Sequence, residues 1–200
     1  MVTLQNLGLR VQLGHGGSSC PLPSAGPEHF CVLDTSGVHY ISVDFCDCRT
    51  NRFVHHRAQL LRARWFPATF NRPQTAFTFD CLDTFHELTL QGKTPLYDFY
   101  YTILHKTDNL ELNKTIVSYS YQLESIFMLI GLIQYRYPEF HHAFRIWRNL
   151  LMLKRAGRGQ DPAGASATAQ GELAVECPAC PHPGRNLPVG WESSGPLSCV

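Results

Sequence analysis

A short stretch that ends in two closely spaced cysteines, residues 29–48, constrains the fold of this chain more than any other feature. Two β-prone runs, 30–33 and 38–45, flank a turn in which Gly37 can take the positive φ that a tight loop needs. Within the second run, every other residue from Ile41 onward is apolar, which is the period of a half-buried strand. The stretch therefore predicts a β-hairpin whose end carries the cysteine pair.

The cysteine pair itself, Cys46 and Cys48, favours a metal ion over a disulfide. A single intervening residue would strain a disulfide between them, whereas a hairpin ending in two thiolates suits half of a zinc site. The N-terminus lacks the basic start and apolar block of a signal peptide, so we expect the eight cysteines to be reduced. Two unrelated buried thiols are the alternative interpretation of this spacing.

A histidine and a cysteine upstream of the hairpin are candidates for the remaining ligands. His15 and Cys20 are five residues apart in a glycine-rich segment, which follows a stretch at 7–15 that alternates like a strand. Together with Cys46 and Cys48, they would place three sulfurs and one imidazole around a structural zinc ion. For the histidine, an exposed loop position is the alternative.

A second cysteine pair lies near the other end of the chain. Cys177 and Cys180 form a C-x-x-C, which matches zinc-knuckle spacing and is a stronger metal signal than C-x-C. His182 is a weaker third candidate, because the prolines on both sides of it restrict the backbone. Since Cys199 is the one cysteine that follows, we expect this second site to lack a full ligand set within the chain.

Arginines concentrate in two parts of the sequence. Between residues 49 and 79 there is no acidic residue, and the arginines there are interleaved with aromatic residues. A predicted helix at 139–155 likewise gathers arginines beside its apolar stripe. Arginine suits phosphate groups, although most such segments are simply solvated surface. The candidate DNA-contacting residues are Arg62, Arg64, Arg145, Arg148 and Arg155.

Helical periodicity predicts much of the remaining fold. Apolar residues recur at helical spacing in residues 79–90, in a second helix opened by Pro95, and in residues 139–155. Residues 161–171 are small and polar, which indicates a linker or surface loop. We therefore expect an α+β fold, in which a small antiparallel sheet with zinc-knuckle ends packs with three to four helices.

Several segments, taken in order, resemble a known family. They are residues 7–15, 43–48, 59–69, 96–100, 150–159 and 177–184. Together they are similar to the CxC-type cysteine cluster of the second class, CxC2-like, that is associated with KDZ (Kyakuja–Dileera–Zisupton) transposases. The resemblance covers nearly the whole chain. It implies a zinc-chelating module that precedes a DNA transposase domain, and hence a nuclear protein whose partners are DNA, a transposase domain or another protein.

The chain departs from the family pattern in what surrounds and interrupts these segments. The family carries further cysteine–histidine pairs upstream and an RNase H-like catalytic domain downstream, and we expect both to be missing. Cys31 and Cys81 stand where aliphatic residues are usual, so we expect them to be buried thiols rather than ligands. The third departure is an internal insertion at residues 117–134, whose apolar block of eight residues is far shorter than the roughly 20 that a membrane helix needs.

We interpret the insertion at 117–134 as a retained intron that is translated in frame. It begins with valine, all of whose codons start with GT, and it ends with glutamine, one of whose codons ends in AG.

The predicted domain organisation has three parts. The first is a truncated cysteine-cluster domain at 1–112, with a β-hairpin and two helices, and the second is an insertion region at 113–135. A basic helix, a linker and the C-x-x-C follow at 136–200.

The function predicted from these features is a non-catalytic, zinc-binding module that interacts with DNA or protein and does not associate with membranes. One alternative is a truncated transposase that retains divalent-metal nuclease chemistry through Asp80, Asp83 or Asp98. These acids lie on predicted helices without a strand-borne partner, although such chemistry needs two or three converging carboxylates. A protein-binding zinc module without a nucleic-acid role is the other alternative.

Overall fold

The computed structural model describes residues 4–48, 55–108 and 136–173, together with residues 180, 182, 187, 189, 190 and 192. Two compact units divide the chain, Met1–Asn149 and Leu150–Val200. The insertion predicted at 117–134 and the candidate ligand Cys177 lie outside the described residues.

The first unit is built on a six-stranded sheet. Its strands are β1 (Arg10–Gln12), β2 (Pro23–Ala25), β3 (Phe30–Asp34), β4 (Gly37–Cys46), β5 (Trp65–Pro67) and β6 (Thr75–Thr78). The order is β1-β4-β3-β6-β5, and β2 pairs with the end of β4. The pairs β1–β4 and β3–β6 are parallel, whereas the other pairs are antiparallel. The predicted α+β class is confirmed, but the sheet is mixed rather than antiparallel as predicted, because two parallel pairs join strands that are not consecutive in sequence.

The central hairpin consists of β3 and β4, as the alternation predicts. Asp34 pairs with Gly37 across the turn, and Gly37 has a φ of 148°. The backbone N–H and the hydroxyl of Ser36 both donate to one carboxylate oxygen of Asp34, at 3.1 and 2.6 Å. The hydroxyl of Thr78 donates to the other oxygen at 2.7 Å. Asp34 therefore fastens the turn to the end of β6.

The hydrogen bonds to Asp34 should make the stability of the fold depend on pH. Burial by itself would raise the pKa of Asp34, but the bonds from Ser36 and Thr78 bring the pKa below its ordinary value of 3.8. A carboxyl group with a lowered folded pKa contributes stability above its unfolded pKa and loses it as the pH falls through the folded pKa. We expect Asp34→Asn to be less stable than the parent at pH 7 in urea unfolding. The difference should shrink as the pH falls below the ordinary carboxyl pKa of 3.8, and a difference that is constant with pH would contradict this account.

In the described residues, four α-helices accompany the sheet: α1 (His56–Arg62), α2 (Phe79–Gln91), α3 (Leu96–Thr107) and α4 (Tyr137–Arg155). The last three correspond to the helices that periodicity predicts. The hydroxyl of Thr78 caps α2 by accepting the N–H of Cys81 at 3.1 Å, and Pro95 precedes the first residue of α3. The short helix α1 is an addition to the predicted set.

Within the first unit, the sheet has helices on both faces. On one face, Leu60 of α1 packs in a cluster with alternate residues of β3 and β4, among them Val32 and Val43. On the other face, Phe77 of β6 contacts Phe140 of α4 at a ring-centroid distance of 5.3 Å. Aromatic rings of α2, α3 and α4 continue this second core, namely Phe85, Phe99, Phe140 and Phe144.

The second unit contains the last residues of α4 and a polar loop region that the composition predicts. Arg158 pairs with Asp161 at 2.7 Å and with Glu172, and these contacts close the loop on itself. A single 3-10 turn, Ala165–Ala167, lies within the loop. Among the described residues of the chain, no helix combines the length and the apolarity that crossing a bilayer requires.

Candidate metal centre

Four side chains converge at one end of the sheet, and they are the four that the sequence singles out: His15, Cys20, Cys46 and Cys48. One ligand atom from each lies within 4.8 Å of all the others. In the part of the chain that the structure describes, no other group of three or more histidine, cysteine or acidic side chains is placed in this way. The three cysteines are buried, and the histidine is half-buried.

The individual distances fit a single tetrahedral ion. The Nε2 atom of His15 lies 3.1 Å from the Sγ atom of Cys46 and 3.4 Å from that of Cys48. The Sγ atoms of Cys20 and Cys48 are 3.4 Å apart. Zinc bonds of about 2.0–2.3 Å in tetrahedral geometry place neighbouring ligand atoms roughly 3.5–3.8 Å apart, so these three separations need shifts of only a few tenths of an ångström, and the other pairs lie within 4.8 Å. The residues present can therefore hold a metal ion with no position left open.

The parallel pairing of β1 with β4 explains why the four side chains meet. Gln12 of β1 lies opposite Asp44 of β4, so both strands end at the same edge of the sheet. The loop with His15 and Cys20 begins beyond that edge, which is also where Cys46 completes β4. The site thus depends on a strand pair that is distant in sequence.

Two amide side chains hold the cysteine backbones in place. The Oε1 atom of Gln59, on α1, accepts the N–H of Cys46 at 2.8 Å, and its Nε2 atom donates to the carbonyl of the same residue at 3.0 Å. Gln59 is only 2% exposed. On the other side of the site, the Oε1 atom of Gln12 accepts the N–H of Cys20 at 2.8 Å. Sequence reasoning misses both glutamines, because no local pattern distinguishes them from surface residues.

The protonation of the thiols is linked to metal binding. Burial, together with hydrogen bonds to Cys20 and Cys46, raises the pKa of Cys48 to about 11. Thiolates are the form that binds metal, so a cation must displace protons from the thiols here, and its charge then offsets the cost of burying the thiolates.

Cys31 and Cys81 stand apart from the cluster as fully buried thiols, and burial raises the pKa of each to about 12. Their predicted burial is confirmed.

The other predicted site residues do not belong to the converging group. Cys180 is exposed, and its predicted partner Cys177 lies outside the described residues. All five candidate arginines are exposed, with Arg155 in the second unit and the other four in the first. Arg64 forms an ion pair with Asp80 at 2.9 Å and lies over the ring of Phe79.

The three acids of the nuclease alternative have different surroundings. Asp80 pairs with Arg64, and Asp83 accepts the indole N–H of Trp147 at 3.1 Å. Asp98 lies in the first turn of α3. In the described residues these carboxylates form no shared metal-binding group.

A glycine in the ligand loop gives a direct test of the geometry. Gly14 has a φ of 99°, and a Cβ atom added there would lie 2.5 Å from the Cβ of Cys46. Gly17 has a nearly equal φ of 102° but open space around it. Both alanine variants incur the backbone strain of about 1–2 kcal/mol, but only Gly14→Ala adds a clash. We expect Gly14→Ala to reduce metal retention and stability, measured by mass spectrometry and urea unfolding. Equal effects of Gly14→Ala and Gly17→Ala would contradict the packing described here.

Comparison with known proteins places these residues in a family. The model of the CxC2-like cysteine cluster associated with KDZ transposases matches residues 4–111, a range that includes all four converging side chains. No curated protein and no solved structure matches the chain. Because the matched region covers more than half of the 200 residues, the chain belongs to the family of CxC2-like cysteine clusters associated with KDZ transposases.

Proposed function

We propose that the chain is a zinc-binding, non-catalytic module that interacts with DNA or protein within a transposon-derived, nuclear, KDZ transposase-associated protein. The observation that carries the proposal is the convergence of His15, Cys20, Cys46 and Cys48 within 4.8 Å. A fully ligated site of this kind stabilises a fold rather than activating water, because no coordination position is left for a substrate.

The chemistry of the four ligands supports zinc as the metal. Three thiolates and one imidazole are a common structural zinc set, whereas calcium and magnesium prefer oxygen ligands. Native mass spectrometry of protein purified without added metal, combined with elemental analysis, should find one zinc ion bound through this cluster. Protein that carries no metal, or that carries a different ion as purified, would overturn this part of the proposal.

The exposed arginines support DNA as a partner. Arg145 and Arg148 lie three residues apart on α4, and neither has an acidic partner within the described residues. The guanidinium of Arg148 lies over Phe144 at 6.0 Å, so its aliphatic stem is supported while the charge stays accessible. Arginines of this kind contact phosphates and contribute affinity that falls steeply with salt.

Substitution of these arginines tests the DNA contact. We expect Arg145→Ala and Arg148→Ala each to weaken DNA binding about equally for unrelated sequences and to lower the salt slope by roughly one. Arg64→Ala is the matched control, because its charge is already paired with Asp80 and the expected loss is smaller. Fluorescence anisotropy with a labelled duplex over a range of salt concentrations measures all three variants.

The same measurement addresses the protein-binding alternative. If the association with DNA is micromolar or weaker, does not depend on salt and is unchanged in every arginine variant, DNA is removed from the proposal. What remains is a zinc module that binds protein.

The separated surroundings of Asp80, Asp83 and Asp98 support the non-catalytic assignment. A nuclease assay with magnesium or manganese tests it, and cleavage that requires any of these acids would contradict it.

A further inference from the structure

We propose that Cys20 and Cys48 are a covalent modification site, at which oxidation by a peroxide forms a disulfide between them and weakens metal retention. The disulfide itself depends only on the geometry of the two thiols. The effect on the metal rests on the proposed zinc site, so the two parts can fail separately.

The two sulfurs are already close to bonding distance. The Sγ atoms of Cys20 and Cys48 are 3.4 Å apart, and a disulfide bond of about 2.05 Å requires an approach of roughly 1.4 Å. Cys20 lies in the loop between β1 and β2, and Cys48 lies two residues beyond the end of β4. Because neither residue belongs to a strand, the approach leaves the sheet pairing intact.

Cys46 is the less suitable partner for either thiol. It is the last residue of β4, where it pairs with Pro23, and both of its backbone polar groups are bonded to Gln59. A bond from Cys46 to Cys48 would also close the strained ring that a single intervening residue produces. Cys46 is 1% exposed, whereas Cys20 and Cys48 are 8% and 7% exposed, so an oxidant reaches the latter two more readily.

The reaction balances with one peroxide molecule. One thiolate attacks the peroxide O–O bond, which forms a sulfenic acid and releases hydroxide. The second thiol then attacks that sulfur, the S–S bond forms, and water leaves with the hydroxyl oxygen. In total two thiols lose two electrons and two protons, and the peroxide is reduced to two molecules of water. A disulfide removes two of the four ligands, so His15 and Cys46 are left to hold the ion and retention falls.

Two buried thiols outside the cluster supply an internal control. Cys31 and Cys81 are fully buried, each with a pKa raised to about 12 by that burial. Neither side chain has any exposed surface, so peroxide does not reach the sulfurs and both should stay reduced while the cluster is oxidised.

The experiment uses the full chain, reduced and metal-free, treated with a small excess of hydrogen peroxide and then alkylated. Digestion with trypsin and Asp-N places Cys46 in peptide 44–46, Cys48 in peptide 47–49, and Cys20 in peptide 11–33 together with Cys31. Among the crosslinks that involve Cys20, Cys31, Cys46 or Cys48, we expect the dominant one to join peptides 11–33 and 47–49, and fragmentation to assign it to Cys20. In parallel, zinc-loaded protein should release its metal as the crosslink forms, and a dithiol reductant should restore binding.

Variants and outcomes separate the two claims. Cys46→Ser should keep the crosslink, whereas Cys48→Ser should lose it, and peptide mapping of the unchanged chain gives the same answer without either variant. Crosslinks through Cys46, equal oxidation of Cys31, or no crosslink would overturn the proposal. Protein that binds no zinc beforehand but forms the Cys20–Cys48 crosslink would contradict the proposed zinc site and support the modification site.

Discussion

Removing zinc from the loaded protein should lower its melting temperature by about 10 °C, the largest effect that we expect from any single treatment. The ligand loop and the end of β4 are joined by the four ligand side chains and by two backbone hydrogen bonds, from the N–H of Leu13 to the carbonyl of Asp44 at 2.9 Å and from the N–H of Asp47 to the carbonyl of Leu22 at 3.1 Å. An ion present at 1,000 times its dissociation constant stabilises the native state by about 4 kcal/mol. In a chain of 200 residues, each kcal/mol corresponds to about 2–4 °C. Thermal unfolding followed by circular dichroism, with and without a chelator, measures the change.

Substituting one ligand should reproduce the effect of the chelator. Cys46→Ser is expected to abolish zinc retention, to lower the melting temperature by a similar amount, and to make the protein insensitive to chelator. Cys81→Ala is the control, because Cys81 is equally buried but lies outside the cluster. It should lower stability through a small cavity and keep its zinc. Zinc loss in Cys81→Ala, or chelator sensitivity in Cys46→Ser, would contradict the assignment of the ligands.

The four converging residues could be found from the sequence because their signals are local. The alternation from Ile41 to Phe45 fixes the strand that carries Cys46, and the spacing of the cysteines indicates what they hold. Helices α2 and α3 begin at residues with known preferences, a capping Thr78 and a preceding Pro95. Each of these signals lies within a few residues of the structure that it specifies.

The remaining elements could not be predicted because their causes are distant in sequence. Strands β5 and β6 have three and four residues, too few for a periodic pattern, and β6 becomes a strand by pairing with β3. The parallel pairing of β1 with β4 joins residues about thirty positions apart, and it is this pairing that brings His15 to Cys46. Tertiary contacts of this kind override local preference and leave little trace in composition.

The buried amide of Gln59 is the clearest case of a residue that only the structure identifies. Its replacement should cause the second-largest loss of stability that we expect. Gln59→Leu keeps the side-chain volume but leaves the N–H and the carbonyl of Cys46 without the two bonds at 2.8 and 3.0 Å. Each buried polar group that loses its partner costs about 1–3 kcal/mol, so we expect a loss of about 2–6 kcal/mol for the two groups. Urea unfolding of the zinc-loaded protein measures this loss.

The matched control for Gln59→Leu is Gln12→Leu, which removes a single bond at the same site, from the N–H of Cys20. Because Gln12 is only half-buried, water can replace that bond in part, and the expected loss is about 1 kcal/mol. If Gln59 positions Cys46 for the metal, then Gln59→Leu should also weaken zinc retention in a competition with a chelator of known affinity. If Gln59 only fills space beside the sheet, leucine should be tolerated with no loss of either stability or zinc. The larger effect at Gln59 on both measurements is therefore the result that links the buried amide to the metal centre.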